Sequence, residues 1–240
     1  MPFASVLHSE WIKIRTLRSL VGGLLAIVIA TAVFSAIAGL DTEGDDFDPL
    51  FAAFFGVSFG QIAAIAFGVL AVSSEFQGGA LRVTLAAVPH RGRWFAAKAT
   101  AIGVPVLAVG LLTGCVSLAV GKAVLGDQAS GLSWGEGLRG VVGCGLYLAL
   151  MALLAAGLAA LLRSGVATLS ILIPFLLIVS FVVGDLSGSV ADFLPDKAGQ
   201  TVLHETSDGA LGPWTGLAVT ALWAAAALLA GAWSVRRRDA

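Results

Sequence analysis

The chain has 240 residues, 58% of them hydrophobic and 12% charged, with a formal net charge of −1. A soluble domain carries about 25% charged residues, so a mean hydropathy of +0.95 excludes an ordinary water-soluble globule and points to lipid as the solvent. Cys115 and Cys144 both fall inside apolar runs. Two such thiols form neither a disulfide framework nor metal-ligand spacing, and packing is the role expected of both.

The first predicted element is an amphipathic helix over residues 3–18. Phe3, Leu7, Trp11, Ile14 and Leu17 recur every three or four residues and share one face. Ser5, Ser9, Lys13 and Thr16 lie elsewhere on the wheel. Lys13, Arg15 and Arg18 are placed to meet anionic headgroups, and Trp11 to sit at the interface, so this helix is expected to lie on the membrane surface.

A bilayer core of about 30 Å needs about 20 apolar residues in a helix. Span 1 is predicted over 20–40. Its end, Ser35-Ala-Ile-Ala-Gly39, resembles a signal-peptide cleavage site. The apolar run exceeds the roughly 7–15 residues of a signal core, so it is expected to remain as a span. Span 2 covers 51–73 and carries Gly56 and Gly60 in the small-xxx-small pattern of helices that pack closely in lipid.

The connection that follows, "SSEFQGGALRVTLAAVPHRGRWFAAK", is polar and breakable. Glu75 stands at the end of span 2. Gly78 and Gly79 weaken the helix there. Residues 80–88 are helix-compatible again, and Pro89 and the basic His90-Arg91-Gly92-Arg93 then interrupt before Ala96 leads into span 3. The expected element is a short helix bracketed by breakers. Glu75 and Arg82 are seven residues apart, about 10 Å along a helix, so each is expected to pair elsewhere, with Arg15 of the surface helix or with a partner protein.

Span 3 covers 99–120, with Gly110 and Gly114 in the same small-residue pattern. Span 4 covers 140–162, Arg163 occupies a tight turn, and span 5 covers 165–184. Pro105 and Pro174 lie within spans and are expected to kink them. In the segment 185–213, Val190, Phe193, Leu194, Val202 and Leu203 predict one or two short helices on the outer face. Span 6 covers 214–235. No repeat or linker divides the chain, so residues 1–240 read as one all-α integral membrane domain of six transmembrane helices.

Six spans put both termini on one side. That side holds Lys13, Arg15, Arg18, Arg82, Arg91, Arg93, Lys98, Arg163, Arg236, Arg237 and Arg238, eleven of the 14 basic residues. By the positive-inside rule it is the cytoplasmic side of the plasma membrane. The opposite side is acidic, with Asp41, Glu43, Asp45, Asp46 and Asp48 following span 1.

Several chemistries lack their residues. A phosphate-binding loop ending at Gly121-Lys122 would need Gly at position 116 and Ser or Thr at 123, where Val116 and Ala123 stand. His8, His90 and His204 are too scattered for a metal cluster and are expected to be solvated or interfacial. No ionisable residue lies deep in a span, which disfavours an ion-coupled transporter. Gln61, Thr113 and Ser170 are the main polar side chains at depth. An intramembrane enzyme or a passive channel would need polar residues that are not there.

The layout resembles the ABC-2 type permeases, the transmembrane subunits of one class of ABC exporter. Four features carry the resemblance. They are "SEWIKIRTLRS", placed like the family's connecting helix; the acidic residue, glycines and short helix of "SSEFQGGALRVTLAAVPHRGRWFAAK"; six spans with both ends inside; and "FLPDKAGQTVL", similar to the outer re-entrant segment. The composition, rich in Ala and Gly, resembles actinobacterial members. The resemblance implies an export function without an ATP site on this chain. ATP and Mg would be used by a separate ABC ATP-binding subunit. A second permease chain, identical or a sister, would complete the pathway, and no nucleic acid partner is implied. It assigns ATPase coupling to Glu75, Gly78, Gly79, Arg82, Arg91 and Arg93, with the interfacial helix carrying Trp11, Lys13, Arg15 and Arg18 beside them. The competing expectation is a non-transporting membrane scaffold or sensor partner that docks a cytoplasmic protein on the same basic face.

Overall fold

The computed structural model describes residues 2–40, 48–88, 90–176, 188–206 and 209–237. Among the described residues every regular element is helical. The α-helices are α1 (Phe3–Thr16), α2 (Arg18–Ala38), α3 (Pro49–Phe54), α4 (Val57–Ser73), α5 (Ala80–Ala87), α6 (Arg91–Leu125), α7 (Trp134–Leu162), α8 (Gly165–Pro174), α9 (Pro195–Gln200) and α10 (Pro213–Arg237). Single 3₁₀ turns at Ser74–Phe76, Gly126–Gly131, Gly188–Phe193 and Thr201–Leu203 fill the joints.

Among the described residues five stretches are long and apolar enough to cross a membrane: Arg18–Ala38, Pro49–Phe76, Arg91–Leu125, Trp134–Leu162 and Pro213–Arg237. They match predicted spans 1, 2, 3, 4 and 6. Predicted span 5 is helical over Gly165–Pro174, and its part from residue 177 onward lies outside the described residues. Leu25, Ile29, Val33 and Ile37 form an outward stripe on α2, each at least half exposed, as suits a helix whose solvent is hydrocarbon.

The core is organised around α7, which packs on α4, α6 and α10. Close approach needs missing side chains, and both predicted small-residue pairs serve contacts within the chain. A Cβ on Gly56 or Gly60 would strike Thr31 of α2. One on Gly110 would lie 2.9 Å from the Gly145 Cα, and one on Gly114 2.9 Å from the Val141 Cα, both on α7. Ser133 opens α7 with a capping box, accepting from the Glu136 amide while the Glu136 carboxylate accepts from the Ser133 amide.

Several expectations are corrected. Helix α6 begins at Arg91, not near residue 99, because nothing in "RGRWFAAK" forbids helix and Arg91 is anchored by donating to the Val235 carbonyl of α10 at 3.0 Å. The line of α1 buried against the protein is Val6, Glu10 and Ile14, while Phe3, Trp11 and Leu17 of the predicted apolar face are at least 38% exposed. Helix α1 ends at Thr16, so Arg18 opens α2 instead of closing the amphipathic helix. Cys144 is buried, but Cys115 is exposed on the outside of α6. The short helices before the last span are present as α9 and its flanking turns, with Val202 and Leu203 buried.

Candidate functional site

At the end of the bundle where α1, α4 and α6 meet, four charged side chains share one enclosed space. Glu10 and Lys13 come from α1, Glu75 from the 3₁₀ turn closing α4, and Lys98 from the second turn of α6. Lys13 Nζ lies 3.0 Å from Glu10 Oε1 and 2.8 Å from Glu75 Oε1. Lys98 Nζ lies 2.7 Å from Glu75 Oε1 and also pairs with Glu10 Oε2. The side chains of Glu10, Glu75 and Lys98 are 1%, 5% and 5% exposed, against 37% for Lys13. Two carboxylates and two ammoniums sum to zero, which makes such burial tolerable.

The backbone explains why these groups converge. Val6, Glu10 and Ile14 follow a four-residue step, which sets the Glu10 carboxylate into the seam between α1 and α6. Gly78 and Gly79 adopt φ of 59° and 74°, a left-handed region that costs glycine little and other residues more. The chain reverses there, and α5 folds back beneath Glu75. Thr84 Oγ1 of α5 donates to Glu75 Oε2 at 3.4 Å, a weak bond. Leu81 is the buried anchor of α5. Its other face presents Arg82, Ala86, Ala87 and Val83, the last 74% exposed.

Glu75, Phe76, Gly79, Leu81, Arg82 and Arg163 line an open cleft of about 440 Å³ beside α5. Arg163 closes α7 in the left-handed conformation and lies over the Phe76 ring at 5.5 Å. Of the predicted coupling residues, Glu75, Gly79 and Arg82 therefore share one cleft, and Gly78 lies in the adjoining turn. Arg91 is committed to α10, and Arg93 is exposed in the first turn of α6. Arg15 and Arg18 are exposed, and the partner of Glu75 on α1 is Lys13 in place of Arg15. Trp11 borders a separate apolar groove with Leu7, Val104 and Pro105.

Glu10 and Lys98 escaped the sequence reading. Lys98 stands one residue before the predicted start of span 3 and was counted only as a topogenic charge. Glu10 sits in register with Val6 and Ile14, and a lone charge in an apolar register is the signal that could have revealed it.

Burial opposes the charge on Lys13, but hydrogen bonds and attraction from Glu75 and Glu10 outweigh it and raise its pKa above the ordinary lysine value of 10.5. A raised folded-state pKa stabilises fully below the unfolded value and is lost as pH rises through the folded one. The wild-type chain should therefore lose thermal stability as pH climbs beyond 10.5, and Lys13→Met should lose less over that interval. Equal alkaline losses in both proteins would sink this assignment.

A comparison with protein-family models gave no match, and a search among curated proteins gave none.

Proposed function

We propose that the chain is the membrane subunit of an ABC transporter of the ABC-2 type, working as an exporter with a separate ATPase that binds ATP and Mg. One observation carries the reading. The buried Glu75 carboxylate joins the exposed short helix α5 to α1 and α6. A displacement of α5 by a docked partner would thus reach two helices at once, through the ion pairs of Glu75 with Lys13 and with the enclosed Lys98. The absent phosphate-binding loop assigns hydrolysis to that partner.

In this reading the basic end of the bundle, with both termini, α1 and α5, faces the cytoplasm across the plasma membrane. The sixth crossing of this reading is the span expected from the sequence over 165–184. A second permease chain, identical or a sister, completes the pathway. The scaffold alternative uses the same docking face without ATPase coupling.

Affinity purification of the tagged chain from its native membrane in mild detergent tests this. Arg82→Glu with Val83→Asp suits it, because both lie on the exposed face of α5 and leave the buried charges intact. The expected result is a stoichiometric ATP-binding subunit with wild type and its loss with the variant. Recovery of the chain without such a subunit, where a control complex survives, favours the scaffold.

A further inference from the structure

The other end of the bundle holds a second, unrelated constellation. The stretch Pro49–Phe76 separates it from the charge cluster by about 40 Å of helix. There a cavity of about 400 Å³ is bordered by Phe51, Asp192, Lys197, Gln200, His204 and Leu211, within the size range of small-molecule sites.

Its polar groups are held in place from behind. Asp48 caps α3 by accepting from the Phe51 amide at 2.9 Å, and its Oδ2 faces His204 Nδ1 at 3.2 Å and accepts from the Glu205 amide at 3.0 Å. Burial opposes ionisation of Asp48, but the His204 ring and the two amides outweigh it and hold its pKa below the usual carboxylate value. A carboxylate only accepts, so the proton between the two groups is on His204 Nδ1. The ring stacks on Phe51 at 4.2 Å, and Arg139 donates to the His204 carbonyl at 2.6 Å. Behind the cavity wall, Gln200 accepts from Ser58 Oγ at 3.1 Å and donates to Tyr147 Oη at 3.1 Å. Tyr147 donates to Gln61, which donates back to the Ser58 carbonyl at 3.1 Å. That closed ring ties the wall to α4 and α7.

Three groups are left with unused capacity. Lys197 is half-buried and has no hydrogen-bond or ion-pair partner among the described residues. Asp192 accepts from the Ala210 amide through Oδ2 at 3.0 Å, which leaves Oδ1. His204 leaves Nε2. Among the described residues the cavity thus offers one cation, one carboxylate oxygen and one ring nitrogen beside the apolar surfaces of Phe51 and Leu211.

We infer that this cavity binds a small zwitterion of amino-acid or dipeptide type, its carboxylate on Lys197, its ammonium on Asp192, and its apolar body against Phe51 and Leu211. The site does not depend on the transporter reading, and its test needs no ATPase.

The test is calorimetric titration of the purified full chain in lipid nanodiscs with L-leucine and leucyl-leucine. Their N-acetyl and C-terminal amide forms, which lack the ammonium and the carboxylate, serve as comparisons. Both zwitterions should bind, with each blocked form about 10-fold weaker, the loss for one charged hydrogen bond. Lys197→Gln should weaken the zwitterions by about 10-fold and leave the amides unchanged. Asp192→Asn, which keeps an acceptor for the Ala210 amide, should weaken the zwitterions and leave the N-acetyl forms unchanged. Tryptophan-fluorescence melting at the wild-type temperature establishes that each variant is folded. No binding of either zwitterion to wild type, or zwitterion affinities unchanged in both folded variants, would overturn the inference.

Discussion

Lys98→Met should destabilise the folded chain by about 3–5 kcal/mol, the cost of removing one partner from a buried ion pair. The substitution leaves Glu10 and Glu75 sharing Lys13, an enclosed excess of one negative charge. Glu10→Gln alone should also destabilise, because Lys98 then has only Glu75 and the excess is positive. Combined, the two changes restore neutrality and retain the 2.8 Å pair between Lys13 and Glu75. The double variant should therefore be more stable than either single one. Unfolding of the four proteins by SDS titration from mild detergent micelles measures this coupling directly. Additive losses would mean that the four groups do not act as a unit.

Gly68→Val should be as damaging for a different reason, and no second-site charge should repair it. A Cβ at Gly68 would run into the Ala152 carbonyl of α7. That neighbour is backbone and cannot rotate aside, so a cost of about 3 kcal/mol, at the upper end for overpacking, is expected. Gly22 of α2 is the matched control, since no atom lies within 4 Å of a Cβ placed there. Gly22→Val should stay within about 0.5 kcal/mol of wild type, as surface changes usually do. The same unfolding assay compares both. Equal stability of the Gly68 and Gly22 variants would contradict the close contact of α4 with α7.

The contrast explains how the two ends of the molecule differ. At the α1–α5 end, stability and geometry depend on charge balance among long side chains. In the middle they depend on the absence of side chains. At the cavity end they depend on short polar groups fixed by backbone amides. Hydrogen-bond loss there is local, whereas an uncompensated charge in the cluster is felt on α1, α4 and α6 together.

Much of this was readable in the chain itself. A run of about 20 apolar residues can do little in water or lipid except form a buried or membrane-crossing helix, so the five long helices were determined by composition and length. Gly78 and Gly79 marked the reversal before α5, because paired glycines weaken helix and admit positive φ. Gly110 and Gly114 marked a close helix contact, though not its partner. What only the tertiary structure decided was which residues meet across long separations. Glu10 and Lys98 are 88 positions apart, and Asp48 and His204 are 156 apart. No local period encodes such pairs, because helical spacing sets a residue's face and not the neighbour that covers it. The orientation of α1 shows the limit most clearly. Its apolar periodicity marked Phe3, Leu7, Trp11, Ile14 and Leu17 as one face and gave no sign of Glu10, which is buried with Lys13 and Lys98 as its ion-pair partners. A buried charge needs its counter-charge, and where that counter-charge lies is a property of the fold.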